Sequence, residues 1–170
     1  MWLGVSLFYV GAVLCLNGLW MRGHIADREI WVINVFAGLV SLAIGLCSIF
    51  GPGADAITVK NGALTLLFAF TYLWVAINRF SGADGRGLGW FSLFVAITAV
   101  PVAVDTLAHA QSMTDWWMGA NWAAWAVLWG LFWLLLARGR DIGRFTGAMC
   151  IAQGIFTGWL PGYLLLSGWL

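Results

Sequence analysis

The chain has 170 residues, of which 62% are hydrophobic and only 9% charged, with a formal net charge of +1. A soluble domain of this size carries far more polar surface, and no basic patch exists for nucleic acid. The acidic residues Asp27, Glu29, Asp55, Asp84, Asp105, Asp115 and Asp141, like the basic ones, fall in or beside breaks between apolar runs, so the runs carry no formal charge. That pattern argues against ion pumping, carboxylate-coupled transport and voltage sensing, each of which places ionisable groups inside the membrane.

Six apolar segments can be drawn, 2–21, 30–50, 62–80, 90–108, 116–136 and 145–168. Each is close to the roughly 20 residues that a spanning helix needs. They predict an all-α integral membrane protein with six transmembrane helices in a single domain over residues 1–170. The first run has no basic residues before it and is too long for a signal-peptide core, so it is expected to stay as a span. Arg22, Arg28, Arg79, Arg86, Arg138, Arg140 and Arg144 belong to the first, third and fifth connections, whereas the second and fourth hold only Lys60. By the positive-inside rule the odd connections are cytoplasmic and both termini face outward.

The first span has two faces. Leu3, Leu7, Val10, Leu14 and Asn17 form one stripe, and Gly4, Gly11 and Gly18 recur every seven residues beside it. Glycine columns let helix backbones approach, so the glycine face is expected to pack and the Leu/Val face to look elsewhere. Asn34, Gly38 and Gly45 in the second span point to helix packing alone. In the third, Phe70, Trp74 and Asn78 are four apart and share a face. An asparagine in a membrane helix most often bonds a neighbouring helix.

Pro101 in the fourth span and Pro161 in the sixth leave the carbonyls of Ile97 and Thr157 without their usual donors, offering two acceptors. The fifth span is unusually rich in tryptophan: Trp122, Trp125, Trp129 and Trp133 follow at three, four and four residues and form one stripe. Trp116 and Trp117 fit an interfacial aromatic belt. The stripe continues inward for roughly 16 Å, where each indole N–H needs an acceptor. It either packs between helices or lines a path for a small flat solute. Gln153 in the sixth span must bond another helix or face that path. Cys15, Cys47 and Cys150 read as small buried hydrophobes, and His24 and His109 lie in loops, so neither metal nor cofactor is expected.

Several ordered motifs resemble the AmiS/UreI family of bacterial amide and urea channels: LFYVGAVLCLNG at 7–18, LLFAFTYLWVAIN at 66–78, WFSLFVAITAVP at 90–101, DWW and WAAWAVLW within 115–129, and TGWLP at 157–161. The resemblance implies a hexameric ring in the bacterial cytoplasmic membrane, with a separate path for urea or a short amide such as acetamide through each protomer and a functional link to a cytoplasmic amidase or urease. It implies a path lined by Leu3, Leu7, Val10, Leu14, Phe70, Trp74, Trp122, Trp125, Leu128 and Trp129, with Asn78, Gln153 and Trp117 as polar candidates. Trp74 stands where urea channels often have tyrosine, and Gln153 where they have glutamate. Acid-gated members carry external loops rich in histidine and acidic residues, whereas the loops at about 51–61 and 105–115 are short and hold one histidine, His109. One histidine cannot form a cluster, which predicts permeation nearly independent of pH. The rival readings are a non-conducting assembly subunit, an acid-gated urea channel and a coupled transporter. An enzyme is disfavoured because the spans lack an acid–base or nucleophile constellation.

Overall fold

The computed structural model describes residues 2–170. Six helices are long and apolar enough to cross a membrane: α1 Trp2–Met21, α2 Ile30–Phe50, α3 Ala56–Ser81, α4 Arg86–Ala108, α5 Met113–Ala137 and α6 Gly143–Leu166. Helices α3, α4 and α5 start before the apolar runs do, and for α3 and α5 the reason is a polar cap. The Asp55 carboxylate accepts from the Thr58 N–H at 2.8 Å, and the Asp55 N–H donates to the Thr58 hydroxyl at 2.8 Å. Ser112 and Asp115 do the same for α5. Such reciprocal caps satisfy orphan N–H groups with polar side chains, which a hydropathy reading passes over. The connections at the terminal end therefore shrink to residues 51–55 and 109–112.

The helices associate as pairs, α1 with α6, α2 with α3 and α4 with α5. Glycine sets these partnerships. A Cβ on Gly11 would stand 2.1 Å from the Trp159 backbone nitrogen, one on Gly158 2.5 Å from the Gly11 Cα, and one on Gly18 2.5 Å from the Gly147 carbonyl. The glycine face of α1 thus packs on α6, and Leu7, Val10 and Leu14 turn into the common core, as their separation in the sequence predicts. Between α2 and α3, Gly38 receives Leu73 and Gly45 meets Gly62. Asn17 and Asn34 exchange hydrogen bonds at 3.1 and 2.6 Å, joining α1 to α2 through two buried amides.

Helices α3 and α5, by contrast, scarcely approach through their backbones, and large side chains fill the space between them. Two π turns interrupt the regular helices, at Trp133–Ala137 in α5 and Gly154–Trp159 in α6. Pro101 leaves α4 continuous, and it and Ile97 lie on the outer face, so the Ile97 carbonyl is no acceptor for the core. Cys150 is buried and Cys15 half-buried, but Cys47 faces outward from α2. Ion pairs sit at helix ends: Lys60 with Asp105 at 3.2 Å at the end that holds the termini, and Arg79 with Asp27 at 3.0 Å at the arginine-rich end.

Candidate solute path

Helix α5 turns Trp122, Trp125, Leu128 and Trp129 into the protein, all buried, toward Leu7, Val10 and Leu14 of α1. Phe68 of α3 sits in the middle of this column. Its ring meets Trp122 at 6.0 Å, Trp125 at 4.8 Å and Trp129 at 4.7 Å between centroids, each edge-on, and Trp122 meets Trp125 the same way at 5.0 Å. Edge-to-face contacts are the favoured geometry for aromatic pairs, so the four rings form a closed layer. Leu3, at the start of α1, is exposed at the terminal end.

The inward face of α3 differs from the one expected. Phe70 and Trp74 are 45% and 36% exposed, whereas Phe68 and Tyr72 are 6% and 2% exposed. At about 100° per residue, Phe70 and Trp74 lie roughly 160° and 120° around the helix from Phe68, and Tyr72 only about 40°. Trp74 rests on Phe91 at 5.7 Å on the outside of the bundle. The aromatic pair that joins the column is therefore Phe68 and Tyr72, and a tyrosine hydroxyl is present after all. Its signal was the series Gly62, Ala69 and Ala76, small residues seven apart that mark the packed side of α3.

Below Phe68 lies a cavity of about 230 Å³ that reaches toward the arginine-rich end, bordered by Leu14, Tyr72, Asn78, Trp125, Leu128 and Trp129 among others. None of Leu3, Leu7, Val10 and Trp122 borders it, so the column is open on one side of the aromatic layer and filled on the other. The cavity wall is mostly apolar, with Asn17, Thr71, Tyr72, Asn78 and Ser92 among its uncharged polar members, the Asn17 amide being engaged with Asn34. Thr71 and Ser92 spend their hydroxyl protons on the Leu67 and Leu88 carbonyls, both at 2.8 Å. Asn78 makes no side-chain hydrogen bond among the described residues and is left free toward the cavity. At the mouth the Arg79 guanidinium bonds Asp27 and lies 5.1 Å from the Trp20 ring, while the Trp20 indole donates to Asp27 at 2.8 Å.

The remaining polar candidates belong to the seam between α5 and α6. The Gln153 amide donates to the Ala124 carbonyl at 2.9 Å, and Trp117 donates to the Phe156 carbonyl at 3.0 Å. Both bond helix to helix. The Thr157 carbonyl freed by Pro161 is taken by Asn121 at 3.1 Å, and the Trp125 indole donates to the Thr157 hydroxyl at 2.8 Å. The freed Thr157 carbonyl was expected, but Asn121 and the Thr157 hydroxyl were not, although Trp117, Asn121 and Trp125 are spaced four apart opposite a proline that leaves carbonyls bare.

The family profile described as AmiS/UreI family transporter matches residues 2–169 of this chain. The chain belongs to the AmiS/UreI family. A relative within it, the amidate substrates transporter protein of Mycolicibacterium smegmatis, is 42% identical over 97% of this chain and 76% of its own length. The acid-activated urea channel of Helicobacter pylori is 36% identical over 191 aligned positions, 96% of each protein. The solved structure of the Helicobacter pylori urea channel in its closed state superposes with a TM-score of 0.87, at 34% identity and 99% coverage of both chains. The AmiS/UreI fold is thus the six-helix membrane fold described above, and the chain is a multi-pass membrane protein of a transport family.

Proposed function

We propose that this protein is a passive channel for small neutral amides, urea or a short aliphatic amide such as acetamide, across the bacterial cytoplasmic membrane, without acid gating. One observation carries the reading: a buried aromatic column with no charged member leads into a cavity where Asn17, Thr71 and Ser92 are bonded within the protein and the polar groups left over are the neutral Tyr72 hydroxyl and Asn78 amide, with a charge only at its mouth. A flat, dipolar, uncharged solute is what such a wall suits. Aromatic faces offset part of its dehydration, and the apolar stretch from Leu7 to Leu14 makes entry of a hydrated ion costly. The path is lined by Leu3, Leu7, Val10 and Leu14 of α1, Phe68 and Tyr72 of α3, and Trp122, Trp125, Leu128 and Trp129 of α5, with Asn78 near its inner mouth. Phe68 closes it, and solute passes when that ring swings aside.

The names of the relatives in M. smegmatis and H. pylori support the solute class. The absence of gating is supported by the short terminal-end connections and by the alignment with the acid-activated channel, which needs 191 positions against 170 residues here, so that protein carries segments this chain lacks. Both termini lie outside, on the arginine distribution, and the chain works as a homo-hexamer that supplies a cytoplasmic amidase or urease. The test is stopped-flow light scattering on proteoliposomes, comparing entry of urea and acetamide with that into empty vesicles. Entry faster than into empty vesicles, insensitive to proton and sodium gradients, is expected. No entry above that of empty vesicles would sink the proposal in favour of a non-conducting assembly subunit.

A further inference from the structure

Pro161 has no N–H, so it withholds a donor from the Thr157 carbonyl in α register and from the Phe156 carbonyl in π register. Helix α6 makes a π turn over Gly154–Trp159, and both carbonyls take their donors from α5 instead, from Asn121 and Trp117. Trp125, the third residue of that four-spaced series, has no bare carbonyl to reach. It donates to the Thr157 Oγ1 at 2.8 Å. The hydroxyl proton of Thr157 is itself given to the Gln153 carbonyl at 2.6 Å, so the oxygen has only lone pairs to present. The bond therefore has one possible direction, and the Trp125 ring has one orientation. Gln153 reinforces it by holding the Ala124 carbonyl next to the ring.

This arrangement separates Trp125 from its neighbours in the column. The indole N–H groups of Trp122 and Trp129 make no hydrogen bond among the described residues, whereas that of Trp125 is used up by Thr157. We propose that Thr157 is a positioning residue for solute passage: it fixes the plane of Trp125 and occupies its donor, so that the middle of the column offers a carbonyl solute an aromatic face and no hydrogen bond. The proposal rests on the column being a path for small amides. Trp122 and Trp129 are seven residues apart, about 10.5 Å along the helix axis. A solute carbonyl meets a donor at either end and none between. A third donor there would merge two weak sites into one deep trough and slow release, because conduction needs sites weak enough to leave.

Two substitutions separate this role from packing. Thr157→Val keeps the branched shape and removes the acceptor, and Thr157→Ser keeps the acceptor. In proteoliposomes, Thr157→Val is expected to lower acetamide flux about five-fold, the worth of one net hydrogen bond, with saturation at lower concentration. Thr157→Ser restores wild-type flux. Adding Trp125→Phe to Thr157→Val removes the liberated N–H and is expected to recover flux, whereas a purely structural defect would compound. The Trp125 indole signal in protein labelled with ¹⁵N at indole, assigned by its loss in Trp125→Phe, should be protected from exchange with D₂O in wild type and Thr157→Ser and unprotected in Thr157→Val. If Thr157→Val does not fold, a rapidly exchanging Trp125 N–H in wild type still overturns the proposal. Unchanged flux in folded Thr157→Val, or a double variant slower than Thr157→Val alone, overturns it with the path reading intact. Wild-type flux no faster than empty vesicles defeats the path reading itself.

Discussion

Phe68→Ala is the substitution that asks most of the path described above. The Phe68 ring is buried and makes three edge-on contacts, with Trp122, Trp125 and Trp129 at 6.0, 4.8 and 4.7 Å. A buried aromatic pair is worth about 1 kcal/mol beyond its area, so swinging the ring out of the layer costs on the order of 3 kcal/mol. That energy corresponds to a factor on the order of 100 in rate. Truncation removes the barrier and extends the cavity below up to the Trp122 ring that Phe68 contacts. Urea flux in proteoliposomes should rise by up to that factor, and exclusion of bulkier amides should weaken. Phe70→Ala, two residues along and on the outer face of the protomer, should change flux by less than about two-fold, since a ring that does not touch the column contributes no barrier to it. Stopped-flow scattering, normalised to protein content by immunoblot, makes the comparison. If folded Phe68→Ala conducts no faster than wild type, or Phe70→Ala changes flux as much as Phe68→Ala does, then the assignment of Phe68 as the closing ring is wrong.

Gly158→Ala places a Cβ 2.5 Å from the Gly11 backbone, forcing α1 and α6 apart, and should lower stability in detergent by about 1–3 kcal/mol. Gly130→Ala meets nothing within 4 Å and should leave the thermal midpoint in place. Asn34→Leu strands the Asn17 amide in a buried contact and should cost about 1–2 kcal/mol, while Leu at both positions should recover part of the loss; additive losses would show that the two amides are not coupled. For pH, hydrogen bonds from the Thr58 backbone and hydroxyl hold the Asp55 carboxyl below its ordinary range. A lowered folded pKa means that the cap is complete above the ordinary aspartate value of about 3.9 and is lost only as pH falls through the lower folded value. The α2–α3 connection therefore keeps its structure between about pH 5 and pH 7, and acetamide flux at those two values should agree within about two-fold. Ten-fold activation in acid would refute this and turn attention to His109.

The six spans, the packing of the Gly4–Gly11–Gly18 face and the inward turn of the Trp122–Trp129 column were legible because each depends on local order. Some twenty apolar residues must become a helix once in a membrane, since unpaired backbone groups cannot be left in hydrocarbon. A glycine column admits close approach whatever helix arrives, and so many large rings on one stripe exceed what an interfacial belt uses, although the fourth of them, Trp133, leaves the column at the π turn and packs on Trp90 instead. Which aromatic pair of α3 faces inward was decided by tertiary structure. In a soluble protein polar residues would have marked the outer side, but lipid is as apolar as the core, so the aromatic residues alone do not tell the two faces apart, and the one trace in the sequence is the small-residue series Gly62, Ala69 and Ala76. The small residues that pack α3 on α2 settle the matter by rotation. The bare Thr157 carbonyl was legible from Pro161, but its partners were not, because the π turn adds the Phe156 carbonyl beside it, and only the facing helix determines that Trp117, Asn121 and Trp125 arrive there as donors.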